Sequence, residues 1–342
     1  MQDVKPHVQN YFGIIRRERA AGTCAGGRPL QNRRKIMKKI LLDTDIGPDC
    51  DDAAALALVN MYAAEGMVEV LAVTHCTSNP YGVGTIRAID AWYGHDFPVG
   101  TLRDEGFLTG EQTERYNRPL ALELPPERRE ADAAVPVMRR ALAACGDGEA
   151  ELIAIGPLRN VAALLASPPD EISPLDGETL SARKCARLTL MAGCFELAAA
   201  PGMKLPHVEW NVEMDVAAAR TVLERWHTGM VWCGWELGAQ VITGRTLPML
   251  PAGHPVRRAY ELHGSAAGRP SWDLLTVQHA CCPDCELTSE GEAGTVTMDG
   301  EGATSFRANE GGAHRVLRLK CAPERIAEEL DGWLLRGGRA RA

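Results

Sequence analysis

Five aspartates fall within ten residues, Asp43-Thr44-Asp45-Ile46-Gly47-Pro48-Asp49-Cys50-Asp51-Asp52, and this stretch constrains the chain more than any other. Ile40-Leu41-Leu42 before it reads as the end of a buried strand. Ala53 to Tyr62 after it is a run of good helix formers. The carboxylates therefore crowd a strand-to-helix turn, bent by Gly47 and Pro48. Carboxylates at that density repel unless protons or a cation neutralise them. Hard oxygen donors without His or Cys suit calcium or magnesium. The plainer alternative is an acidic turn that caps the helix.

The chain has 342 residues, 45% of them hydrophobic, enough for one large α/β domain or two small ones. A formal charge of -8 argues against nucleic acid or an anionic membrane as the main partner. No uninterrupted apolar stretch of about 18 residues is present to span a membrane. Eleven scattered cysteines, an odd number in a chain too large to need staples, point to a reducing, cytoplasmic setting. Residues 1–36 carry Arg16, Arg17, Arg19, Arg28, Arg33 and Arg34 with few acids and no apolar h-region. They read as a disordered extension or a start set too early, with a transit peptide as the alternative. Met37 looks like the natural beginning of the domain, which is expected over 37–335 with a tail at 336–342.

From residue 37 the pattern alternates. Strands are expected at 39–43, 68–74, 97–102, 152–155, 187–191 and 230–233. Helices are expected at 52–64, 84–93, 131–145, 158–166, 215–226, 256–263, 272–281 and 323–335. Residues 103–130 read as a loop able to lie over a site, 168–181 as a second loop, and 284–319 as short strands with Gly-rich turns. This order predicts a three-layer α/β/α domain around an open, mostly parallel, Rossmann-like sheet. Ligands of such sheets gather at the carboxyl ends of strands. The acidic turn, Thr77-Ser78-Asn79, Ile155-Gly156-Pro157, Met191-Ala192-Gly193 and Trp232 to Glu236 all fall at such ends, and Glu209-Trp210-Asn211 precedes a helix.

With these residues in view, the chain resembles the inosine/uridine-preferring nucleoside hydrolase family over roughly 37–335. The first motif is similar to that family's Asp-x-Asp-x-Gly-x-Asp-Asp turn, lengthened here by Asp49 and Cys50. Asn79, Ile155-Gly156-Pro157-Leu158-Arg159-Asn160, Met191-Ala192-Gly193, Glu209 to Asp215 and Ser271-Trp272-Asp273 follow in the family's order. The resemblance implies calcium-dependent cleavage of the N-glycosidic bond of a ribonucleoside by water, in nucleoside salvage. It implies Asp45, Asp52, Asp273 and the Ile155 carbonyl as calcium ligands, and Asp45 also as general base. Asp51, Asn79, Glu209 and Asn211 would bind ribose hydroxyls, and Met191 would line the sugar pocket. It implies a homodimer or homotetramer as well. The chemistry is coherent: carboxylates stabilise an oxocarbenium-like sugar, and a cation can chelate a vicinal diol and acidify water.

Two departures from the family stand out. Trp272 occupies the place of a His that can protonate the leaving base, and it can stack on a base but not donate a proton. The family's upstream ribose-binding Asn is replaced around Met203-Lys204. His207, His254 and His263 are the alternative donors that sequence proximity offers.

Other signals are weaker. Cys281-Cys282-Pro283-Asp284-Cys285 with His279 has half of a zinc pattern, and free thiols are the simpler reading. Cys50 sits among acids that should raise its pKa, which argues against a nucleophile. Trp232, Trp235 and Trp272 could wall a base pocket or simply pack the core. Two competing functions remain: a non-catalytic riboside- or calcium-binding relative, and a haloacid-dehalogenase-like phosphatase with Asp43 as nucleophile and Asp45 beside it.

Overall fold

The computed structural model describes residues 37–282 and 286–337. Its sheet is built from β1 (Lys38–Thr44), β2 (Val68–His75), β3 (Val99–Thr101), β4 (Asp132–Ala133), β5 (Ala150–Ala154), β6 (Cys185–Met191) and β7 (Gly229–Cys233). β8 (Ile242–Thr243) and β9 (Arg269–Pro270) form a separate antiparallel ladder. β10 (Thr288–Glu290), β11 (Gly294–Met298), β12 (Thr304–Ala308) and β13 (His314–Leu319) extend the main sheet. Its order is β12-β11-β13-β7-β6-β5-β1-β2-β3-β4, with β10 on β13. The strands from β13 through β4 run parallel, and β10, β11 and β12 are antiparallel additions.

The helices are α1 (Asp51–Ala64), α2 (Gly82–Trp92), α3 (Ala134–Ala143), α4 (Arg159–Ala166), α5 (Gly177–Lys184), α6 (Val216–Arg225), α7 (Pro255–His263), α8 (Trp272–Cys281) and α9 (Pro323–Arg336). Strand alternation sorts them into two layers. Ile40 and Leu42 of β1 point into a core shared with α1, α2, α7, α8 and α9. Leu41 between them points into the opposite core, with α3, α4, α5 and α6. The expected three-layer α/β/α architecture is present.

α1 is buried from Asp51 through Tyr62, so it has no solvent face and needs none of the polar residues of an amphipathic helix. Leu56 is fully buried there, and Leu56→Ala should cost about 2–5 kcal/mol. α8, buried from Asp273 onward, packs on α1. That contact brings the carboxylate of Asp273 to the acidic turn across more than two hundred residues, where the Asp273 N–H donates to Asp51 Oδ2 at 3.1 Å.

Two segments read as loops contain structure. Asp176 accepts from the Thr179 N–H at 2.7 Å and so starts α5, within what the sequence suggested was a loop to Ser181. The 103–130 segment holds helical turns at Glu111–Glu114, Asn117–Ala121 and Pro126–Arg129. The structural account of residues 1–36, of Pro283-Asp284-Cys285 in the Cys-rich stretch, and of 338–342 lies outside the described residues.

Candidate active site

The chain leaves β1 at Thr44 and must turn sharply to start α1 at Asp51. Gly47, at φ 150°, makes this possible: a Cβ there would lie 2.7 Å from Asn117 Nδ2 and 2.8 Å from the Thr113 carbonyl. Thr44 Oγ1 ties the turn together, accepting from the Ile46 N–H at 3.1 Å and donating to Asp52 Oδ1 at 2.5 Å. Across the β1/β5 boundary, Gly156 presses on Asp45, and a Cβ on it would sit 2.8 Å from the Asp45 Oδ1. β1, β5 and β6 thus deliver Asp45, Ile155 and Met191 to one end of the sheet, where the order of connections reverses between β1 and β5.

These residues floor a cavity of about 910 Å³. Asp45, Asp51, Asp52, Ile155, Met191, Glu209, Asn211, Trp272 and Asp273 all line it. Carboxylate oxygens of Asp51, Asp52 and Asp273 lie within 4.8 Å of one another, and all three residues are buried. Asp45 stands outside that triad but within hydrogen-bonding reach of Asp52. Sequence reading had placed Asp45 with Asp52 and Asp273 and kept Asp51 for the sugar. The carboxylates that gather within 4.8 Å here are those of Asp51, Asp52 and Asp273.

Burial is the first cause of the site's electrostatics. It pushes Asp51, Asp52 and Asp273 well above the usual carboxylate range, and their mutual repulsion adds to it. Asp45 is pushed up to about 7 by burial, with Asp49 and Asp43 adding repulsion. A cluster so costly to ionise calls for a cation. Its donors are all hard oxygens, with the Ile155 residue beside them, so the residues present fit a divalent ion of the calcium or magnesium type.

Opposite the triad, Glu209 caps the short helix Trp210–Met214, accepting from the N–H groups of Asn211 at 2.9 Å and Val212 at 3.3 Å. It also accepts from the Gly193 N–H at 3.2 Å. Burial pushes it up to about 8 despite these bonds. The Asn211 amide donates to the Met191 carbonyl at 3.0 Å. This side of the cavity is therefore pre-organised by hydrogen bonds to the backbone. Asn79 does not line the cavity. Its amide donates to the Thr113 carbonyl at 2.6 Å, so it holds down the segment that covers the site.

One wall of the cavity joins the lengthened acidic turn to Trp272. Asp49 is gripped by Arg269, whose Nε lies 3.0 Å from both carboxylate oxygens and whose Nη2 lies 2.5 Å from Oδ2. The Arg269 guanidinium carbon sits 5.5 Å from the Trp272 ring centre. Trp272 donates its indole N–H to the Trp235 carbonyl at 2.8 Å, and the two rings are 6.1 Å apart. Trp235, Trp210, Arg115 and His263 also line the cavity.

The profile of the inosine-uridine preferring nucleoside hydrolase family matches residues 40–324. The chain belongs to this family. It is a hydrolase of the class that acts on N-glycosyl compounds. It is 28% identical over 311 residues to the non-specific ribonucleoside hydrolase RihC of Klebsiella pneumoniae, covering 79% of this chain and 91% of that protein. Its fold is similar to that of a purine-preferring ribonucleoside hydrolase from Gardnerella vaginalis, with a TM-score of 0.66 at 17% identity, over 88% of this chain and 99% of that one. It is likewise similar to an inosine-uridine preferring nucleoside hydrolase from Bacillus anthracis, with a TM-score of 0.63 at 18% identity, over 88% and 99% of the two chains.

Several sequence candidates sort out against this hydrolase's geometry. Asp43 is fully buried, accepting from Thr74 Oγ1 at 2.6 Å and Asn160 Nδ2 at 2.9 Å, so it is a core residue and not a phosphatase nucleophile. Trp232 lies in the core of the opposite face, against Phe195, and does not line the cavity. His254 is buried between Trp92 and Tyr93, and burial lowers its pKa to about 4. His207 is exposed and pairs with Glu301 at 3.2 Å. Neither these two nor Met203 and Lys204 line the cavity. Cys50 is buried, and burial with its acidic neighbours pushes its thiol far above its ordinary value. Sequence reading missed Arg269, Arg115 and the cavity role of Trp210. Charge balance gives the one available signal: an added aspartate in a buried turn needs a cation, and Arg269 is three residues from Trp272.

Proposed function

We propose that this chain hydrolyses the N-glycosidic bond of ribonucleosides to free base and ribose, with calcium bound in its acidic cavity. The observation that carries this reading is the convergence of Asp45, Asp51, Asp52, Asp273 and Ile155 on one cavity that Glu209, Asn211 and Met191 complete. Asp45, Asp52, Asp273 and the Ile155 carbonyl would hold the ion, with Asp51 beside them shared between ion and ribose. A bound calcium would supply Lewis acidity and chelation of a vicinal diol.

Asp45 takes the proton of the attacking water, a role suited to a carboxylate whose affinity for protons burial has raised. Asp51, Glu209 and Asn211 meet the ribose hydroxyls. Asn79 supports that grip indirectly through Thr113, and Met191 lies under the sugar. The buried carboxylates stabilise positive charge on the sugar as the bond breaks. Trp272 and Trp235 offer a stacking face to the base.

No helix among the described residues is long and apolar enough to cross a membrane. The family resemblance further supports a cytoplasmic homodimer or homotetramer acting on small ribonucleosides.

The test is a panel of ribonucleosides and 2′-deoxyribonucleosides scored for free sugar, with calcium and with a chelator. Release from ribosides should stop on chelation and return with added calcium. Deoxyribosides should be slower by about 10²-fold, because a missing hydroxyl leaves buried polar groups unpaired. Riboside binding by calorimetry without any turnover would instead assign a non-catalytic relative.

A further inference from the structure

Two features in which this chain differs from the family's pattern, the lengthened acidic turn and Trp272, meet in space. Asp49 is one of the two residues added to the acidic turn, and Trp272 stands where a proton-donating His is expected. Asp49 is fixed from two sides: Arg269 grips its carboxylate, and the Tyr116 hydroxyl donates to its carbonyl at 2.5 Å. Arg269 lies over the Trp272 ring, so the pair belongs to the wall on which a base would stack.

His263 completes that wall. It ends α7, and Gly264 at φ 88° turns the chain away behind it. Its Nδ1 lies 2.8 Å from Ser265 Oγ, which orients the ring. Its Nε2 lies 3.9 Å from Asp49 Oδ1. That separation is too long for a hydrogen bond and short enough for the carboxylate to stabilise an imidazolium. Among the described residues, His263 is the histidine that lines the cavity.

The charged groups facing it are Asp49 from the acidic turn, Arg269 from β9 and Arg115 from the covering segment. Burial lowers its pKa, Asp49 and the Pro48 carbonyl raise it, and the two arginines lower it. A metal held by Asp49, Cys50 and His263 is disfavoured, although their donor atoms cluster. Both Asp49 oxygens already meet a guanidinium, and the Cys50 thiol is held protonated.

We propose that His263 donates the proton to the departing base, and that the added Asp49, locked by Arg269, positions and stabilises its protonated ring. This inference rests on the glycosidase reading above. As the C1′–N bond breaks, its electron pair passes to the base, and a ring nitrogen of the base takes the His263 Nε2 proton. Water adds its oxygen to C1′, and its released proton goes to Asp45. The two side chains then exchange protons with solvent, so substrate and water become base and ribose with nothing else consumed.

The experiment compares inosine, or the nucleoside cleaved best in the panel, with 4-nitrophenyl riboside, whose phenolate leaves without a proton. All proteins are full-length and calcium-loaded. His263→Gln should lower kcat on the nucleoside by about 10²-fold, with KM nearly unchanged. It should leave the nitrophenyl riboside within about threefold, which also shows that the variant is folded. The alkaline fall of kcat/KM on the nucleoside should vanish in His263→Gln and move to lower pH in Asp49→Asn, since removing the carboxylate makes the imidazolium easier to deprotonate. An equal loss on both substrates, or none on the nucleoside, overturns the proposal while the glycosidase reading stands. If the wild-type protein releases ribose from neither substrate, both fall together.

Discussion

The floor and the wall of the cavity differ in how they are made. The floor, formed by Asp45, Asp51 and Asp52 with Ile155 and Met191, comes from the ends of adjacent strands and one turn, and Asp273 joins it through the packing of α8 on α1. It follows the family's order and concentrates negative charge. The wall joins Asp49 to Arg269, 220 residues apart, and adds His263, Trp235 and Trp272. It is close to charge-balanced and aromatic. Under the proposed function, a floor of this kind would serve any ribosyl substrate, because it would address sugar, ion and water. A wall of this kind can discriminate leaving groups. Substitutions in the two regions should therefore differ in whether their effects depend on the substrate.

The largest effect belongs to the floor. Asp45→Asn removes the group proposed to take the water's proton, and kcat should fall by roughly 10²–10⁴-fold at saturating calcium. The fall should be the same for nucleosides and for 4-nitrophenyl riboside. Steady-state kinetics on both substrates checks it, and a substrate-selective loss would blur the division between floor and wall.

How far each region was legible in the sequence follows from the same contrast. The floor was visible because strand-end motifs announce their place in an open α/β sheet, and because five acids in one turn demand a partner. What sequence could not resolve was which carboxylates come closest. Asp51 joins Asp52 and Asp273 in a group within 4.8 Å, held by the Asp273 N–H that donates to Asp51 where α8 packs on α1. Asn79 was placed in the right neighbourhood, yet its amide is engaged by Thr113, a residue from a segment that sequence presented only as a polar loop. The wall was largely illegible. Arg269, in a two-residue strand, carries no periodic signal, and its pairing with Asp49 depends on the closed fold. His254 and His263 looked equivalent nine residues apart, and α7 turns one into the core and the other toward the cavity.

The next effect reads the floor through stability. Burial raises Asp43 and Asp45 to about 7 and Glu209 to about 8, and it raises Asp51, Asp52 and Asp273 in the same direction. Unfolded carboxylates titrate near 4, at about 3.9 for Asp and 4.3 for Glu. For groups raised on folding, the folded state holds protons that the unfolded state has lost. Their contribution is therefore fully present below about pH 4 and is lost as pH rises through 7 to 8. Chelated protein should show a Tm that falls by several degrees from pH 5 to pH 8. Calcium, proposed above to bind the ionised folded site, should flatten that slope. Calorimetric scans at matched ionic strength measure it, and a Tm that rises with pH without calcium would show that the floor is not the cluster of costly carboxylates described here.

The smallest effect belongs to the wall, and it sharpens the comparison most. The Trp272 ring lies 6.1 Å from the Trp235 ring at a tilt of 35°, and the Arg269 guanidinium carbon sits 5.5 Å from its centre. Stacking of one aromatic pair is worth about 0.5–1.5 kcal/mol beyond buried area, which corresponds to about 2–10-fold in kcat/KM. Trp272→Phe keeps a ring and should cost little, whereas Trp272→Ala should lose that factor on purine ribosides, less on pyrimidine ribosides and least on 4-nitrophenyl riboside. The ranking matters more than the size. Trp272 is followed directly by Asp273, so a variant that merely disturbs the start of α8 would shift a floor carboxylate and slow every substrate alike. Measuring kcat/KM for the three substrate types at two calcium concentrations separates these outcomes. A graded loss that calcium does not relieve assigns Trp272 to the wall, and a uniform loss that extra calcium repairs assigns it to the floor as a support for Asp273.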